Sequence, residues 1–206
     1  MTKLFLYKAK NANIIAILRR GVKRKEWQLI LWNTLDDTFQ EGQWLINKMI
    51  HPRYCSISPD GKYFFYHYWD RGQYSQDAVF SKLPNFTAEY YGTWNTYYEE
   101  CSFTNDNKGV VSLDYQFSKR NSNTMLEVVL RKDIDKDSII KCGYIGCLNS
   151  SVYDDIKVND FSEKNNYLTY IDMKDRVIKV KNGILYADDI ILLDTTNNTF
   201  IQVKPI

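Results

Sequence analysis

The side chains that could perform acid–base or nucleophilic chemistry are few in this chain. Its two histidines are His51, which precedes Pro52 in a predicted loop, and His67, which lies inside the aromatic run at 63–69. A Ser/His/Asp or Cys/His site needs a histidine as its base, and no Gly-x-Ser-x-Gly motif accompanies either histidine. We therefore interpret both as structural and predict a chain that is not an enzyme and has no catalytic residues.

Two patterns resemble fragments of metal sites but are incomplete. Cys142 and Cys147 have four residues between them, whereas zinc-binding cysteine pairs are closer and are joined by a second pair of ligands. Three alternating aspartates at 133–137 resemble the start of a calcium loop, but its sixth and twelfth positions hold Ser138 and Tyr144 in place of glycine and glutamate. We predict no metal site, no cofactor and a solvated turn at 133–137.

Adjacent aspartates occur at 36–37, 154–155 and 188–189. Neighbouring residues on a strand point to opposite faces of the sheet. We therefore interpret these pairs as turn caps, a role that suits the short side chain of Asp. The alternative is a hydrolase acting on a glycan or peptide, which would gather two carboxylates across a cleft.

Two clusters could contact a binding partner. The one dense basic run, at 19–25, is predicted at a hairpin tip, where it would meet an acidic partner or remain solvated. The aromatic run at 90–98 could offer flat faces to a ligand or pack between strands. From these clusters we predict six binding residues: Arg19, Arg20, Tyr91, Trp94, Tyr97 and Tyr98.

Composition favours β structure and limits the class of partner. Aromatic residues make up 15% of the 206 residues, and Tyr, Phe and Trp favour strands. The formal net charge of +2 argues against a nucleic-acid partner.

The N-terminal apolar stretch is too short for a signal peptide, and no run is long enough to span a membrane. We expect a cytoplasmic protein without membrane contact, whose four cysteines are reduced thiols.

Hydrophobic runs separated by turn residues predict a succession of short strands. Runs at 14–18 and 27–32 flank a polar connection, which is a hairpin pattern, and a further strand is expected near 39–46. The Ser-Pro-Asp-Gly turn at 58–61 precedes the nearly all-aromatic run at 63–69. We expect that run to be a central strand covered on both faces, and we find no convincing long amphipathic helix.

Two segments of the sequence recur. The segment 55–62 is echoed at 101–109, an offset of 46 residues, with a weaker third copy at 160–168. The segment 30–39, which we interpret as a strand, an Asx-rich turn and a second strand, matches 191–200. A period in the forties with about four short strands per unit is typical of propeller blades.

The turn at 58–62, followed by an apolar strand and echoed at 104–109, resembles the TolB-like and WD-like repeats of β-propellers. A longer pattern over residues 13–100, which includes Arg-Arg-Gly at 19–21, Trp-Asn-Thr at 32–34 and Gly-Gln-Trp at 42–44, is similar to a group of uncharacterised bacterial proteins. The resemblance implies a propeller-type fold and a bacterial origin, and it carries over no functional residues.

We therefore predict one all-β repeat domain over residues 1–206, a small or partial β-propeller of about four to five antiparallel blades. A twisted β-sandwich is the alternative fold. The predicted function is a non-catalytic protein-interaction module whose partner is another protein. The hydrolase above and an immunity or antitoxin-like protein are the alternative functions.

Overall fold

The computed structural model describes residues 1–23, 25–70, 75–94, 102–112, 116–140, 143–145 and 157–200. Within these ranges the secondary structure consists of β-strands and three single-turn 3-10 helices, with no α-helix. The prediction of an all-β chain is confirmed. The 3-10 helices span Pro52–Tyr54, Arg131–Asp133 and Lys136–Ser138.

Sheet I is an antiparallel meander of the first four strands. These are β1 (Lys3–Lys8), β2 (Ile14–Arg20), β3 (Glu26–Asn33) and β4 (Thr38–Ile46), paired in chain order. The predicted hairpin and the strand after it are confirmed as β2, β3 and β4. Both faces of β2 are buried, with Ile15 and Ile17 on one side and Ala16 and Leu18 on the other, so this sheet has cores on both sides.

Sheet II contains the strand that the sequence predicts as central. Its strands are β5 (Met49–Ile50), β6 (Ser56–Ile57), β7 (Tyr63–Asp70), β8 (Ser75–Lys82), β9 (Ala88–Trp94) and β12 (Gln116–Lys119). The order is β12-β9-β8-β7-β5, with β6 also paired to β7. Phe64 and Phe65 point to opposite faces of β7 and are both fully buried, which confirms that prediction. Strand β12 forms one edge of the sheet.

Sheet III is built from very short strands. These are β10 (Ser102–Thr104), β11 (Gly109–Val111), β13 (Val128–Leu130) and β14 (Ile139–Ile140), in the order β13-β11-β10-β14. Strands β11 and β13 are parallel. The prediction of purely antiparallel units is wrong here, because the chain from 112 to 127 returns to the same end of the sheet before β13 begins.

Sheet IV is a second antiparallel meander. Its strands are β15 (Lys157–Ser162), β16 (Tyr167–Ile171), β17 (Val177–Lys181), β18 (Ile184–Ala187) and β19 (Ile190–Asp194), paired in chain order. Its tight turns use left-handed backbone at Asn166, Asp175 and Asn182, the residue types that tolerate a positive φ best after glycine.

Three apolar cores place the sheets face to face in the order IV–I–II–III. Leu6 and Ile17 of sheet I pack with Tyr170 of sheet IV, whereas Tyr7 and Leu18 on the other face of sheet I pack against sheet II. The far face of sheet II packs against sheet III. Sheet I therefore lies between IV and II, and its β1 edge is covered by residues 143–145, where Tyr144 bridges Tyr7.

The 46-residue echo corresponds to a repeated turn. The Ser58 hydroxyl donates to Asp60 at 2.7 Å and accepts from the Lys62 amide at 3.1 Å. In the second copy Thr104 donates to Asp106 and accepts from the Lys108 amide at 3.0 Å. The residue directly before the lysine amide has a positive φ in both copies, 71° at Gly61 and 69° at Asn107. The repeat is confirmed at the level of individual hydrogen bonds.

The second predicted repeat is confirmed only in its first half. The carboxamide of Asn33 accepts from the Leu35 amide at 3.1 Å, and Asp194 at the matching position accepts from the Thr196 amide at 2.8 Å. The expected second strand is wrong for 195–200, where no strand is assigned. This segment instead supplies backbone carbonyls to Arg19.

Candidate functional site

A row of polar side chains crosses one face of sheet II. Strand pairing sets Tyr68 on β7 opposite Asp77 on β8, and Asp77 opposite Thr93 on β9. Directly opposed residues on neighbouring strands have adjacent side chains. Tyr91 lies two residues before Thr93 and so shares its face. The sheet therefore brings Tyr68, Asp77, Tyr91 and Thr93 together from three strands.

Asp77 is the centre of a hydrogen-bond network. Asp77 is 2% exposed, and its carboxylate accepts from the hydroxyls of Tyr91 at 2.8 Å and Thr93 at 2.9 Å. The two hydroxyl oxygens are themselves 2.9 Å apart. A buried carboxylate needs such donors. The network consequently fixes the rotamers of both donors.

Tyr68 also belongs to this network, through contacts with Asp77 and Tyr91. Burial, together with the charge of Asp77 and contacts with Asp77 and Tyr91, raises the pKa of the Tyr68 phenol well above its ordinary value. The Lys48 ammonium lies 4.8 Å from the centre of the same ring. Because the phenol keeps its proton, Tyr68 serves as a neutral hydrogen-bonding group, while Lys48 adds positive charge near it.

The exposed side of the network opens onto a concavity of about 470 Å³, lined by Tyr91, Thr93, Phe117, Ser118 and Arg120. The guanidinium carbon of Arg120 lies 5.2 Å from the centre of the Tyr91 ring, a cation–π distance. Arg120 follows directly after β12, whose residue Ser118 pairs with Tyr91. We call these five lining residues together with Asp77 the Tyr91 site. It offers a fixed aromatic face, hydroxyls and one exposed cation.

Four of the six predicted binding residues come from the aromatic run, and the structure describes them unevenly. Tyr91 is half-buried in the Tyr91 site, with its ring against the core between sheets I and II. Trp94 ends β9, and its side chain lies outside the described part of the structure. Tyr97 and Tyr98 lie outside it altogether. The alternative of core packing therefore holds for the Tyr91 ring, while its hydroxyl belongs to the polar network.

The basic cluster is not arranged as the sequence predicts. Arg19 and Arg20 end strand β2 and precede the turn, so they do not form the hairpin tip. Arg19 is 2% exposed; its guanidinium donates to the carbonyls of Thr195 at 3.0 Å and Asn198 at 2.9 Å and lies 5.1 Å from the Trp44 ring. Burial lowers the pKa of Arg19. Arg19 thus fastens the chain after β19 to sheet I, and Arg20 is half-buried beside it.

The residues that complete the Tyr91 site are ones that the sequence does not point to. Asp77 stands in the run Gln-Asp-Ala-Val-Phe at 76–80, where its only signal is a polar side chain within a strand. Arg120 is 29 residues beyond Tyr91 and reaches it only because β12 pairs with β9. The site can be recognised only when the pairing register of the four strands β7, β8, β9 and β12 is known.

The other candidate groups are located as follows. His67 is buried, with its ring 4.7 Å from that of Phe65. His51 is half-buried, and burial lowers its pKa. Asp135 accepts from the Asp137 amide at 3.1 Å, so 133–137 forms capped turns. No group of three or more His, Cys, Asp or Glu side chains in the described ranges could hold a metal ion.

The remaining cysteine and aspartate predictions are tested only in part. Cys55 is buried in the core between sheets I and II and is a free cysteine, whereas 101, 142, 147 and 154–155 lie outside the described residues. Asp188 accepts from the Val177 amide at 2.9 Å, which confirms a turn cap.

No helix among the described residues is long and apolar enough to cross a membrane.

Comparison with known proteins gives no relative to reason from. No protein-family profile matches the chain, and neither a curated protein nor a solved structure matches it. The resemblance to propeller repeats therefore stays a prediction, and the function has to be argued from the chain's own geometry.

Proposed function

We propose that this chain is a non-catalytic binding protein with propeller-type blades, and that the Tyr91 site contacts another protein. Support for the blade arrangement comes from four sheets stacked face to face around three cores, where a sandwich has two sheets around one core. The repeated turn at 58–62 and 104–108 adds to it, because each copy joins a short strand to its antiparallel neighbour, β6 to β7 and β10 to β11.

The observation that carries the binding proposal is the immobilised Tyr91. Its hydroxyl is held by Asp77, its ring packs on the core, and Arg120 lies over its outer face. Tyr and Arg dominate the energetics of protein interfaces because they give large contact areas and hydrogen bonds with little loss of conformational entropy. A ring that is already fixed loses even less on binding.

The charge beside the site indicates the chemistry of the partner. Lys119 and Arg120 are both exposed at the end of β12, next to the concavity. The buried charge of Asp77 is shielded by two hydroxyl donors. We expect a partner surface that places a carboxylate against Arg120 and an apolar or aromatic side chain against the exposed part of Tyr91.

The hydrolase alternative receives no support from Asp37 and Asp172, two carboxylates that lie near one another. Asp37 and Asp172 both accept from the guanidinium of Arg176, at 3.0 and 2.8 Å from one nitrogen. Hydrogen bonds from Arg176 lower the pKa of Asp37 to about 2, so Asp37 stays ionised and cannot serve as a general acid. An immunity protein would be one kind of protein-binding module, and the neighbouring genes would test that reading.

Photocrosslinking tests the binding proposal. The chain with p-benzoylphenylalanine in place of Ser118 is expressed in a bacterial host that carries the gene, and captured proteins are identified by mass spectrometry. The control carries the same residue in place of Met125, which is highly exposed but outside the site. We expect a partner captured at 118 and not at 125, with capture lost in Arg120→Ala. No capture at 118, or capture that ignores Arg120→Ala, would contradict the proposal.

A further inference from the structure

Sheets I and IV border a groove where two of their turns meet. The groove has a volume of about 320 Å³ and shares no lining residue with the Tyr91 site. The β3–β4 turn contributes Thr34 and Leu35 to its mouth, and the turn between β16 and β17 contributes Asp172, Met173 and Lys174. Two turns from distant parts of the chain therefore form the outer wall of this groove.

A third turn lies beside these two. The carboxylate of Asp188, in the turn between β18 and β19, accepts from the amide of Val177, the first residue of β17, at 2.9 Å. Strand β19 then begins with Ile190, which pairs opposite Ala187. Opposed residues have their side chains on the same face of a sheet, and Ala187 belongs to the core between sheets I and IV. Ile190 therefore lies on the face of sheet IV that is turned towards sheet I.

A large apolar side chain is exposed at each of the three turns. Leu35 is 69% exposed, Met173 59% and Ile190 69%. Single exposed apolar residues are normal on a protein surface, but several of them beside one groove indicate a surface that contacts another molecule. Methionine also adapts its shape to an apolar group that packs against it.

The cations at these turns are already paired. Lys174 and Arg176 both form ion pairs with Asp37, at 3.1 and 2.7 Å, and Lys179 pairs with Asp189. An anionic partner would have to compete with these carboxylates for each cation. The surface therefore does not suit an anion.

The charge that stays available at the turns is negative. Each exposed apolar side chain has an exposed carboxylate one or two residues away, at Asp36, Asp175 and Asp188. None of the three forms an ion pair within the described part of the chain. Hydrogen bonds from Thr38 lower the pKa of Asp36, so this carboxylate is ionised at neutral pH. We call the three apolar residues and these three carboxylates the I–IV rim.

We propose that the I–IV rim is a second interaction surface, which binds a basic segment of a protein partner. An apolar side chain of the partner enters the groove between Leu35 and Met173, and lysine or arginine side chains next to it meet Asp36 and Asp175. The same carboxylates repel nucleic acids and anionic membranes. They would also face one another in a symmetric pair of copies, which disfavours self-association through this surface. The proposal does not depend on the Tyr91 site, whose expected partner surface is acidic.

Selection from a random peptide library displayed on phage tests the chemistry of the I–IV rim. The full chain is the target, and phage that also bind Leu35→Ser/Met173→Ser are removed. Val22→Ser/Met125→Ser is the matched control, because it changes the same residue classes at exposed positions outside the groove. We expect enriched peptides with an apolar residue next to Lys or Arg, which bind the control like wild type. No enrichment, or peptides rich in Asp and Glu, would overturn the proposal.

A synthetic copy of the most enriched peptide tests the role of charge by isothermal titration calorimetry. We expect Asp36→Asn/Asp175→Asn to weaken binding by about tenfold, and the affinity of wild type to fall as salt screens the carboxylates. Asparagine tolerates the positive φ of 57° at position 175, so the turn keeps its conformation. The control Asp133→Asn/Asp137→Asn removes two exposed carboxylates elsewhere and should bind like wild type. Equal affinities of both double variants would overturn the proposal.

Two further measurements separate the I–IV rim from other binding modes. Arg120→Ala, which alters the Tyr91 site, should bind the peptide like wild type, and a loss of binding in this variant would overturn the proposal by placing the peptide at the Tyr91 site. Sedimentation of the full chain should show no dimer that depends on the rim. A dimer that dissociates in Leu35→Ser/Met173→Ser would overturn the proposal, because a second copy would then cover this surface.

Discussion

The guanidinium of Arg176 in sheet IV donates two hydrogen bonds, at 2.7 and 3.0 Å, to the carboxylate of Asp37 in sheet I. The two residues are 139 positions apart in the sequence. Asp37 sits at φ 59° in the β3–β4 turn, and it also accepts from the indole of Trp32 at 3.1 Å. Arg176 holds Asp172 on its other side. One arginine therefore joins the β3–β4 turn of sheet I to the turn between β16 and β17 of sheet IV.

We predict that Asp37→Asn lowers the free energy of unfolding by about 1–2 kcal/mol at neutral pH, the contribution of hydrogen bonds to a charged group that is partly exposed. Asparagine tolerates the positive φ at this position, so the change removes the charge without straining the turn. Urea unfolding, followed by tryptophan fluorescence, measures the difference.

The same pair gives a pH dependence with a defined sign. Hydrogen bonds from Arg176 lower the pKa of Asp37 from 3.8 to about 2 in the folded state. The stabilisation is therefore complete above the unfolded-state pKa and disappears as pH falls towards 2. Wild type and Asp37→Asn should differ fully at pH 6 and converge near pH 2, whereas the control Asp133→Asn, at an exposed carboxylate, should match wild type throughout. A gap that persists at the lowest pH would contradict the ion-pair account.

The repeated turn predicts a matched pair of losses. Ser58→Ala removes the acceptor of the Tyr63 amide and one of the two acceptors of the Lys62 amide, and Thr104→Val removes the acceptor of the Lys108 amide. Each should cost about 1–3 kcal/mol of unfolding free energy, with Ser58→Ala the larger because Ser58 accepts from two amides and Thr104 from one. The exposed control Ser122→Ala should stay within about 0.5 kcal/mol of wild type. If both turn variants were as stable as Ser122→Ala, the side-chain hydrogen bonds of the two turns would not contribute to stability.

Gly42 is the glycine that the packing of β4 requires. A Cβ atom there would lie 2.1 Å from the carbonyl oxygen of Pro84 and 2.9 Å from that of Leu29. Both are backbone atoms, so Gly42→Ala should cost about 3 kcal/mol or more, or prevent folding. At Gly21 the nearest atom is 3.1 Å away and belongs to the flexible Glu26 carboxylate, so thermal unfolding of Gly21→Ala should be close to wild type. Similar melting temperatures for the two variants would contradict this packing.

The network behind the Tyr91 site should contribute to stability as well as to binding. Asp77→Ala removes the acceptor of two hydroxyls and leaves a cavity, which should lower the free energy of unfolding by about 1–3 kcal/mol. Asp160→Ala, at an exposed position of β15, is the control and should have little effect. Chemical denaturation of both proteins checks this, and an Asp77→Ala protein as stable as the control would mean that the network is not formed.

The strands of sheets I and II are predictable because their patterns are locally determined. In the run at 63–69, apolar and aromatic residues occupy both odd and even positions. Because these positions point to opposite faces of a strand, the pattern predicts a strand that is covered on both faces. The turn at 58–61 carries its own signal in Ser, Pro, Asp and Gly. The parallel pairing of β11 with β13 has no such local signature, since it depends on where the chain after 112 returns.

The polar contacts between distant segments could not be read from the sequence. Arg19 looks like part of a solvated basic run, but carbonyls 176 and 179 residues later accept its hydrogen bonds. Asp77 gains its role only when the strand register places it beside Tyr91 and Thr93. The pairing of Arg176 with Asp37 likewise exists only because two sheets from opposite ends of the chain pack together.

The most direct test of the account is the affinity of the partner captured at position 118 for wild type, Arg120→Ala and Arg131→Ala, measured by isothermal titration calorimetry. Arg131 is an exposed arginine in a 3-10 helix outside the Tyr91 site. We predict that Arg120→Ala weakens binding by about tenfold or more, a loss of about 1.4 kcal/mol, while Arg131→Ala binds like wild type. Equal affinities for all three proteins would contradict the assignment of the Tyr91 site as the binding surface.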